Sequence, residues 1–520
     1  EISGERASLE FLGVVKVRFG PKYFSGTGKI KVNPKIVPVR VYKAESGLTR
    51  IYLLRHPKLA DRLYPNVRGE EQLRRALFLS RGALEVMRDQ KFGIMPQIII
   101  SNDWVSGLVA PLLKADERYN TSKVFFGVET IHLVHNCGRD YQGWFFANSY
   151  GEDLWPITGL GGEHYFGVMD PQDGRYLNLT AGAVYHSMKA VIAVSRPYAR
   201  QLMEPDGGEG LESLFRSRAN ALFGISNGID LGLLRRAFVN LGENARKALG
   251  QSLLSRGIGN VKTAPRYLQH YKRAAKTVIQ RRFGLSEDRD CLLISFVGRL
   301  AEQKGIALLS RPTEGPLDSY GGMSNLEAVL TTFPNVQLLI GGPLTQGDLA
   351  CELLHQEVLS LETRFPGRIR GVFSFIPHRE ALEVTLASDL FLMPSRYEPG
   401  GITQLEALAA GTPVIARQVG GIAATLIDYG FEGGSGNSFL FRDYTPEAFR
   451  EVFFRAIEVC SDKELHSILV TRASIAENDW SHRVPYYLTV FQHLVGALDS
   501  THGYLHLNPR KRLLAAIRPQ

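Results

Sequence analysis

A glycine-rich loop between two apolar segments is the feature that most constrains the fold of this chain. Residues 390–393, L-F-L-M, and 412–416, T-P-V-I-A, read as buried parallel strands, and the loop lies within residues 397–411, Y-E-P-G-G-I-T-Q-L-E-A-L-A-A-G. This pattern predicts a helix from about residue 402 to 410 that ends at Gly411. Strand, glycine loop, helix and strand together form the repeating unit of a doubly wound α/β sheet.

The same loop predicts an anion site. Gly400 and Gly401 allow backbone amides to approach a ligand, and the helix that follows aims its unpaired N–H groups and positive dipole end at negative charge. Glu398 and Glu406 stand on either side of the helix start, and carboxylates accept hydrogen bonds from sugar or ribose hydroxyls. The loop alone is compatible with two solvated glutamates or with a nucleotide-sugar pocket.

Two cations follow a second predicted strand. Residues 291–298, C-L-L-I-S-F-V-G, read as a buried strand, and Arg299 and Lys304 come directly after it. Side chains at the carboxyl end of such a strand can pair with the phosphates of a diphosphate leaving group without a metal ion. The alternative interpretation is a pair of exposed cations at a strand end.

Five motifs in order resemble the glycogen and starch synthases, which form glycosyltransferase family five. Residues 391–408 resemble their donor-site segment. The other four motifs are S-N-D-W-V-S-G at 101–107, V-H-N at 134–136 with Y-Q-G at 141–143, G-I-S-N-G-I-D at 224–230, and V-G-R-L-A-E-Q-K-G at 297–305. The resemblance covers about residues 10 to 495. It implies an α/β protein of the GT-B fold, with two Rossmann-like doubly wound domains that face a central cleft.

A chain of 520 residues is long enough for two large cores. We expect an N-terminal, acceptor-side Rossmann-like domain over residues 1–230 and a mostly helical connection over 231–290. A C-terminal nucleotide-sugar-binding domain over 291–480 and a crossover helix with a tail over 481–520 follow. Residues 310–323, rich in glycine and proline, predict an inserted surface loop.

The resemblance also implies roles for individual residues. Arg299 and Lys304 are expected at the donor diphosphate and Glu398 at sugar hydroxyls, and His135 is expected against the donor sugar, with its main-chain carbonyl near the anomeric carbon. Asp103 and Trp104 are expected at the sugar or acceptor. Asn136 is expected to support the turn after His135, and the further donor contacts are expected from Asn227, Gly341, Gly342, Gly400, Gly401, Ile402, Thr403 and Glu406, the last facing the ribose.

The chain departs from the family pattern at several positions. Asn102 and Val105 replace two histidines of the family's H-D-W-H motif, while Gly400 replaces a cysteine and Glu406 replaces a tyrosine or similar residue. The family's first strand and its K-T-G-G-L loop have no clear counterpart, since Lys22 and residues 26–28 imitate that loop only weakly. We therefore expect an incomplete first domain with open sheet edges. The missing strand and loop have three possible explanations: a partner chain supplies them, the chain is a truncated relative, or a rebuilt strand replaces them.

The resemblance implies a retaining glucosyltransferase of the glycogen or starch synthase type. Such an enzyme moves glucose from ADP-glucose or UDP-glucose to the non-reducing end of an α-1,4-glucan, with neither a cofactor nor a metal ion. The alternative is a non-catalytic or split-enzyme subunit that binds glucan or nucleotide sugar in a polysaccharide-synthesising assembly. The expected partners are therefore a nucleotide sugar and an α-glucan acceptor.

Composition argues against a nucleic-acid-binding protein, a zinc or disulfide-stabilised protein, and a membrane-spanning protein. The net charge is +9, but the densest basic tract, residues 266–282, carries Lys272 and Lys276 in the spacing of a solvated amphipathic helix, so no nucleic-acid partner is expected. The four cysteines lack C-x-x-C spacing, which argues against a zinc site or a disulfide framework and favours a reducing compartment, the cytoplasm or a plastid stroma. No apolar run of membrane-spanning length occurs, so no membrane span is expected.

Overall fold

The chain forms two compact units. The computed structural model describes residues 9–20, 22–24, 30–32, 35–57, 69–149, 152–249, 265–311, 322–430, 434–495 and 517–519. Unit 1 consists of Glu1–Ser226 and Pro485–Gln520, and unit 2 consists of Asn227–Val484. Residues 26–28, most of the expected surface loop at 310–323, and residues 250–264 of the expected connection lie outside the described residues.

Unit 1 combines antiparallel and parallel strands. Its strands are β1 (Glu10–Phe19), β2 (Lys22–Phe24), β3 (Ile30–Val32), β4 (Lys35–Ser46), β5 (Thr49–Arg55), β6 (Ile98–Asn102), β7 (Glu129–Val134), β8 (Trp144–Phe146), β9 (Asn148–Ser149), β10 (Glu152–Asp153), β11 (Tyr176–Asn178), β12 (Ala190–Ala193) and β13 (Leu222–Gly224). Its helices are α1 (Glu70–Arg88), α2 (Val109–Ala115), α3 (Glu117–Asn120), α4 (Leu179–His186), α5 (Arg196–Gln201), α6 (Pro205–Gly208) and α7 (Glu212–Ser217).

The parallel sheet of unit 1 positions two of the predicted motifs. Its order is β13-β12-β7-β6, and among the described strands β6 and β13 form its edges. All four residues of β12 are buried, as expected for a parallel strand covered on both faces. Because parallel strands end at the same edge, the loops after β6 and β7 lie side by side, and they carry Asp103 and His135.

The antiparallel sheet β1-β4-β5 covers helix α1. Val15, Val17 and Phe19 of β1 are buried and alternate with exposed residues, so this strand has one apolar face. Beneath it the buried guanidinium of Arg81, on α1, donates to the carbonyls of Arg18 and Thr158 and lies 3.2 Å from a carboxylate oxygen of Asp116. A buried charge is tolerated because these acceptors replace water.

The described residues of unit 2 form one sheet and a set of surrounding helices. Its strands are β14 (Leu292–Val297), β15 (Val336–Gly341), β16 (Ile369–Val372), β17 (Leu390–Met393), β18 (Val414–Arg417) and β19 (Phe439–Phe441). Its helices are α8 (Leu231–Leu249), α9 (Pro265–Phe283), α10 (Ala307–Ser310), α11 (Asn325–Thr332), α12 (Leu349–Arg364), α13 (His378–Ala387), α14 (Thr403–Ala409), α15 (Gly420–Thr425), α16 (Pro446–Ser461) and α17 (Lys463–Ser474). Helix α18 (Val484–Leu494) begins at the last residue of unit 2 and continues into unit 1.

The sheet of unit 2 is parallel and doubly wound. Its order is β16-β15-β14-β17-β18-β19, so the strands run 3-2-1-4-5-6 in order of appearance. Alternate side chains of β14 pack in the hydrophobic cores on the two faces of the sheet. Leu292 and Ile294 lie in one core, and Leu293 lies in the other, together with residues of α8, α9 and α13. Helices α8 and α9, which lie in the expected connection, are therefore part of the second core.

Helix α9 corrects one expectation. The basic tract is helical, but Lys272 and Lys276 are each only 2% exposed, so they do not lie on a solvated face. The ammonium of Lys272 donates to the carbonyls of Leu386 and Ser388, at the carboxyl end of α13, and to the hydroxyl of Thr412. Helical periodicity places a lysine on a face but does not show that its long stem reaches unpaired carbonyls at a neighbouring helix end.

Lys276 forms a buried ion pair with Asp389, which directly precedes β17. The ammonium lies 2.6 Å from the Asp389 carboxylate, and the same carboxylate oxygen accepts the backbone N–H of Leu293, on β14, at 2.7 Å. The pair therefore joins α9 to the amino ends of two adjacent strands.

Two further expectations concern the whole chain. All four cysteines, Cys137, Cys291, Cys351 and Cys460, are buried and free. Among the described residues, no helix is both long enough and apolar enough to cross a membrane.

Replacing Lys276 by methionine is expected to destabilise unit 2 by about 3–5 kcal/mol, because the Asp389 carboxylate would then be buried without its partner. Arg273→Met is the matched control, since Arg273 lies on the same helix in an exposed ion pair with Asp290, and it should cost less than about 1 kcal/mol. Urea unfolding followed by circular dichroism measures both values. Equal losses in the two variants would contradict the role given to the buried pair.

Candidate functional site

The carboxyl ends of β14 and β17 bring together the predicted cations and the first predicted glutamate. The ammonium of Lys304 lies 2.6 Å from the carboxylate of Glu398, and the hydroxyl of Ser395 donates to the same oxygen at 3.2 Å. Arg299 donates to the side chain of Gln303 at 3.1 Å, and Gln303 donates to the carbonyl of Tyr397 at 3.3 Å. The two loops therefore form one connected polar cluster, although 94 residues separate Lys304 from Glu398.

Glycines let the backbones of these loops touch. At Gly305, which has a φ of 73°, an added Cβ would lie 1.8 Å from the carbonyl oxygen of Pro394. At Gly342, which has a φ of 145°, an added Cβ would lie 1.7 Å from the carbonyl oxygen of Gly298. No side chain fits at either position, so glycine is required there by both conformation and space.

The loop after Glu398 rests on the start of α15. The carbonyl of Glu398 accepts the N–H of Gly421 at 2.9 Å, and an added Cβ at Gly420 would lie 2.0 Å from that carbonyl oxygen. Gln404 donates to the carbonyl of Gly400 at 3.1 Å, and Gly401 has a φ of 64°. The predicted glycine pair is thus held from two sides, and Gly401 has a conformation that few other residues adopt.

Helix α14 agrees with the expected helix to within one residue at each end. Thr403 is its first residue and Ile402, which is 47% exposed, precedes it as the N-cap. At the other end Gly411 has a φ of 65°, and the N–H of Thr412 returns to the carbonyl of Ala407 at 2.8 Å. This is the six-to-one hydrogen bond of a glycine-terminated helix.

Glu406 has a partner that the sequence did not indicate. Its carboxylate lies 2.7 Å from Nε2 of His378, the first residue of α13. The hydrogen bond to Glu406 raises the pKa of the His378 imidazole above its ordinary value. The second predicted glutamate is therefore held by a histidine 28 residues earlier in the chain.

The remaining predicted donor residues lie in two places. Gly341 ends β15, and Gly342 lies against the loop after β14. Asn227 is buried, in a segment whose next residues lie against the loop at 478–480: the N–H of Ile229 donates to the carbonyl of Asn478 at 3.0 Å. Among the described residues, no hydrogen bond joins Asn227 to the cluster of Lys304 and Glu398.

Unit 1 brings Asp103 and His135 into direct contact. The N–H of His135 donates to the Asp103 carboxylate at 2.8 Å, and Nε2 of the His135 ring lies 3.1 Å from the side-chain oxygen of Asn102. Asn102 stands where the family motif has a histidine. Its side chain therefore orients the ring of His135. The amide oxygen accepts, which fits an imidazole that carries its proton on Nε2.

Asp103 is held in an uncommon conformation. Its φ is 50°, in the left-handed region, and its N–H donates to the carbonyl of Leu133 at 3.0 Å. Burial raises the pKa of the Asp103 carboxyl above its ordinary value, although the nearby His135 opposes this effect. Backbone strain of this kind persists only where the surroundings enforce it and is concentrated at functional sites.

A polar network supports the loop after His135. The side-chain oxygen of Asn136 accepts the N–H of Gly138 at 2.9 Å. Buried Gln142 donates to the carbonyl of Cys137 at 2.8 Å and accepts from the amide of Asn178 at 2.8 Å. Trp104 packs against this loop, because an added Cβ at Gly143 would lie 2.8 Å from its Cβ.

The other side of this network is ionic. The guanidinium of Arg139 lies 3.1 Å from the fully buried Asp170, and its backbone N–H donates to the carboxylate of Glu209 at 2.7 Å. Glu209 itself has a left-handed φ of 41°. The motif Y-Q-G contains Gln142 but does not indicate its function. The contact between Arg139 and Glu209 could not be predicted from the sequence, since 70 residues separate the two.

A buried histidine, three positions before His135, connects β7 to β6. His132 is fully buried, and its Nδ1 lies 2.9 Å from the hydroxyl of Ser101. Burial lowers the pKa of the His132 imidazole to about 3. The ring is therefore neutral at physiological pH. Among the described residues, no group of three or more His, Cys, Asp or Glu side chains could hold a metal ion.

Two family models match the chain. Residues 13–217 match a model described as the starch synthase catalytic domain, and residues 279–473 match a model of the group 1 glycosyl transferases. The chain is 31% identical, over 475 residues, to a glycogen synthase from Anaeromyxobacter dehalogenans strain 2CP-C, covering 88% of this chain and 86% of that protein. It is 29% identical, over 428 residues, to a glycogen synthase from Clostridium perfringens, and the match covers 81% of this chain and 77% of that protein.

A solved structure has a similar fold over most of the chain. The catalytic domain of starch synthase IV from Arabidopsis thaliana, bound to ADP and acarbose, superposes with a TM-score of 0.72. The alignment covers 95% of this chain and 90% of that structure at 23% sequence identity. The similarity confirms the predicted α/β GT-B fold.

Unit 1 should lose stability as the pH falls below the ordinary pKa of histidine. The His132 pKa drops from 6.5 to about 3 on folding, so the unfolded chain binds more protons between these values, and about 2 kcal/mol should be lost between about pH 7 and about pH 5. His132→Gln should remove that part of the pH dependence. Urea unfolding followed by tryptophan fluorescence reports mainly on unit 1, because Trp104, Trp144 and Trp155 lie there. An unchanged pH dependence in the variant would contradict this account.

Proposed function

The chain belongs to the glycogen and starch synthase family and is a glucosyltransferase, and we propose that it moves glucose from ADP-glucose or UDP-glucose to the non-reducing end of an α-1,4-glucan. The 31% identity over most of the chain favours this activity over a non-catalytic subunit. The acceptor is an α-glucan, and the donor is a nucleotide sugar that needs no separate cofactor.

The contact between Lys304 and Glu398 carries the proposal. It lies at the point where strand order reverses between β14 and β17, and ligands of doubly wound sheets bind at such points, beyond the carboxyl ends of the strands. Lys304 and Arg299 would pair with the donor diphosphate, and Glu398 would accept hydrogen bonds from sugar hydroxyls. Two cations that meet charge as it develops on the leaving diphosphate lower the barrier to transfer.

The other residues would position the nucleotide. We assign the N–H groups of Gly400, Gly401, Ile402 and Thr403, with Gly341 and Gly342, to the phosphates and the nucleoside, because glycine permits the close approach that these contacts need. Glu406 would accept from the ribose hydroxyls, with His378 holding its carboxylate. Asn227 would contact the donor sugar.

In unit 1 the proposed sugar-binding residues are His135, Asp103 and Trp104. The main-chain carbonyl of His135 would face the anomeric carbon, and the Asp103 carboxylate would fix the peptide by holding the His135 N–H. Asn136 would maintain the turn that follows. In a retaining transfer the incoming hydroxyl attacks from the face that the diphosphate leaves, so no carboxylate nucleophile is required.

The cellular setting is also a proposal. Four buried, free thiols fit a reducing compartment, and we propose the cytoplasm, or the plastid stroma if the chain is from a plant or alga.

The activity is tested by polymer growth. The purified chain is incubated with glycogen and either labelled ADP-glucose or labelled UDP-glucose, and label in the precipitated polymer is measured. We expect incorporation from one donor more than from the other, into product that an α-1,4-specific exo-amylase releases. The same assay with any co-purifying protein tests for a partner chain. Donor binding without polymer growth in either setting would contradict the proposal.

Lys304→Ala and Glu398→Ala should each lower the transfer rate by at least about tenfold, because each removes a group that contacts the reacting donor. The double variant should lose less than the product of the two single effects, since the side chains contact each other. Arg396→Ala is the control: its exposed pair with Glu302 lies on the same two loops, and its removal should leave the rate nearly unchanged. Unchanged rates in the Lys304 and Glu398 variants would overturn these roles.

A further inference from the structure

A basic cavity lies at the opposite edge of the unit 2 sheet from the proposed donor site. It has a volume of about 190 Å³ and opens beside the residues that precede β14, β15 and β17, which are their amino ends. Six cationic or ionisable basic side chains line it, and they are Lys272, Arg273, Lys276, Arg289, Lys463 and His466. The length of β14, roughly 20 Å, separates this cavity from Arg299 and Lys304.

The basic side chains come from three separate segments. Helix α9 contributes Lys272, Arg273 and Lys276, the segment before β14 contributes Arg289, and the first turns of α17 contribute Lys463 and His466. Cations that converge from distant parts of a chain repel one another, so their convergence needs compensating negative charge.

The carboxylates that line the cavity are already paired. Asp290 lies 2.5 Å from the guanidinium of Arg273, and Asp389 lies 2.6 Å from the ammonium of Lys276. The nearby Glu287 attracts Arg289, but it is hydrogen-bonded to Arg281 at 2.8 Å. The charges of Lys272, Arg289 and Lys463 therefore exceed what the lining acids neutralise.

Lys272 is buried without a hydrogen bond to a carboxylate of any described residue. Its three hydrogen bonds go to two carbonyls and a hydroxyl, which are neutral acceptors. Burial lowers the pKa of the Lys272 ammonium to about 7, and the repulsion from Lys276 acts in the same direction, while the attraction of Asp389 only partly opposes it. An anion in the cavity would supply the missing negative charge.

Structural roles account for only part of the cluster. Lys272 caps α13, and Lys276 pairs with Asp389, so both stabilise the fold. Arg289 and Lys463 are exposed, so neither is part of a buried core. Their position at the rim of a cavity is what a ligand site requires, because exposed cations can pair with an anion directly. The buried Lys272 ammonium, whose three N–H groups already donate to protein acceptors, adds its positive charge.

We propose that this cavity is a second anion site, which binds the phosphate group of inorganic phosphate, pyrophosphate or a phosphate monoester. The volume equals the room of roughly six water molecules, enough for a tetrahedral phosphate with a small substituent. Arginine and lysine are the side chains that pair with phosphate oxygens in proteins. The site lies apart from the proposed donor pocket, so the anion and the nucleotide sugar would bind at the same time without competing.

The test is titration calorimetry on the full chain at constant ionic strength. Inorganic phosphate, pyrophosphate and glucose 1-phosphate are titrated separately, with glucose as the neutral reference. The titrations are repeated in Lys304→Ala, which weakens anion binding at the donor pocket. We expect saturable binding of at least one phosphate compound, no binding of glucose at this site, and the same affinity in Lys304→Ala.

Variants at the rim decide whether the cavity is the site. Arg289→Ala with Lys463→Ala should weaken the binding by at least about tenfold, because two phosphate partners are lost. The matched control is Arg364→Ala with Arg370→Ala, which removes the same charge from exposed positions of the same unit and should leave the affinity nearly unchanged. Because all four side chains are exposed or half exposed, these variants are expected to fold.

Several results would overturn the proposal. They are the absence of saturable binding, binding that Lys304→Ala abolishes, equal weakening in the rim and control variants, and binding of glucose as tight as that of glucose 1-phosphate. Lys272→Met adds a second measurement: loss of this positive charge should weaken binding further, and undiminished affinity in a folded variant would contradict the contribution that the proposal gives to the buried charge.

Discussion

The adjacency of β14 and β17 is the constraint on which unit 2 depends. The chain builds β15 and β16 on one side of β14 and then crosses to place β17 on the other side, so the segments after β14 and β17 lead to helices α10 and α14, which pack in different cores. An ion pair lies at each end of this strand pair: Lys276 on α9 with Asp389 at the amino end, and Lys304 with Glu398, which joins the two loops, at the carboxyl end. The same two strands thus position the proposed donor pocket and the basic cavity.

Unit 1 holds its candidate residues in a different way. His135 is fixed through its backbone N–H by Asp103 and through its ring by Asn102. The following loop is held by Gln142 and Arg139, whose partners come from residues about 30 to 70 positions away. A loop fixed by several distant hydrogen bonds keeps its geometry without a dense apolar core, and it can present polar groups to a ligand at little cost in ordering entropy.

Local pattern predicted the elements, and long-range geometry supplied the contacts. Apolar runs identified the strands that became β14 and β17, and the glycine loop identified α14 to within a residue at each end. The pair of Glu406 with His378 joins two helices, and no spacing in the sequence encodes it. The pattern was misleading at Lys272 and Lys276, because a lysine on an amphipathic helix looks the same whether its ammonium reaches water or a neighbouring helix end. The short strands between residues 144 and 178 also escaped prediction, since their pairing depends on neighbours that only the fold supplies.

The glycine contacts at Gly305, Gly342 and Gly420 mean that the loops of the proposed donor pocket touch backbone to backbone. No layer of side chains lies at these contacts to absorb a change by repacking. The positions of the peptide groups can therefore vary little between related sequences, whereas the side chains that project from the same loops are free to change. Preference for one nucleotide base or one acceptor can drift in such a pocket while the geometry that receives the diphosphate stays the same.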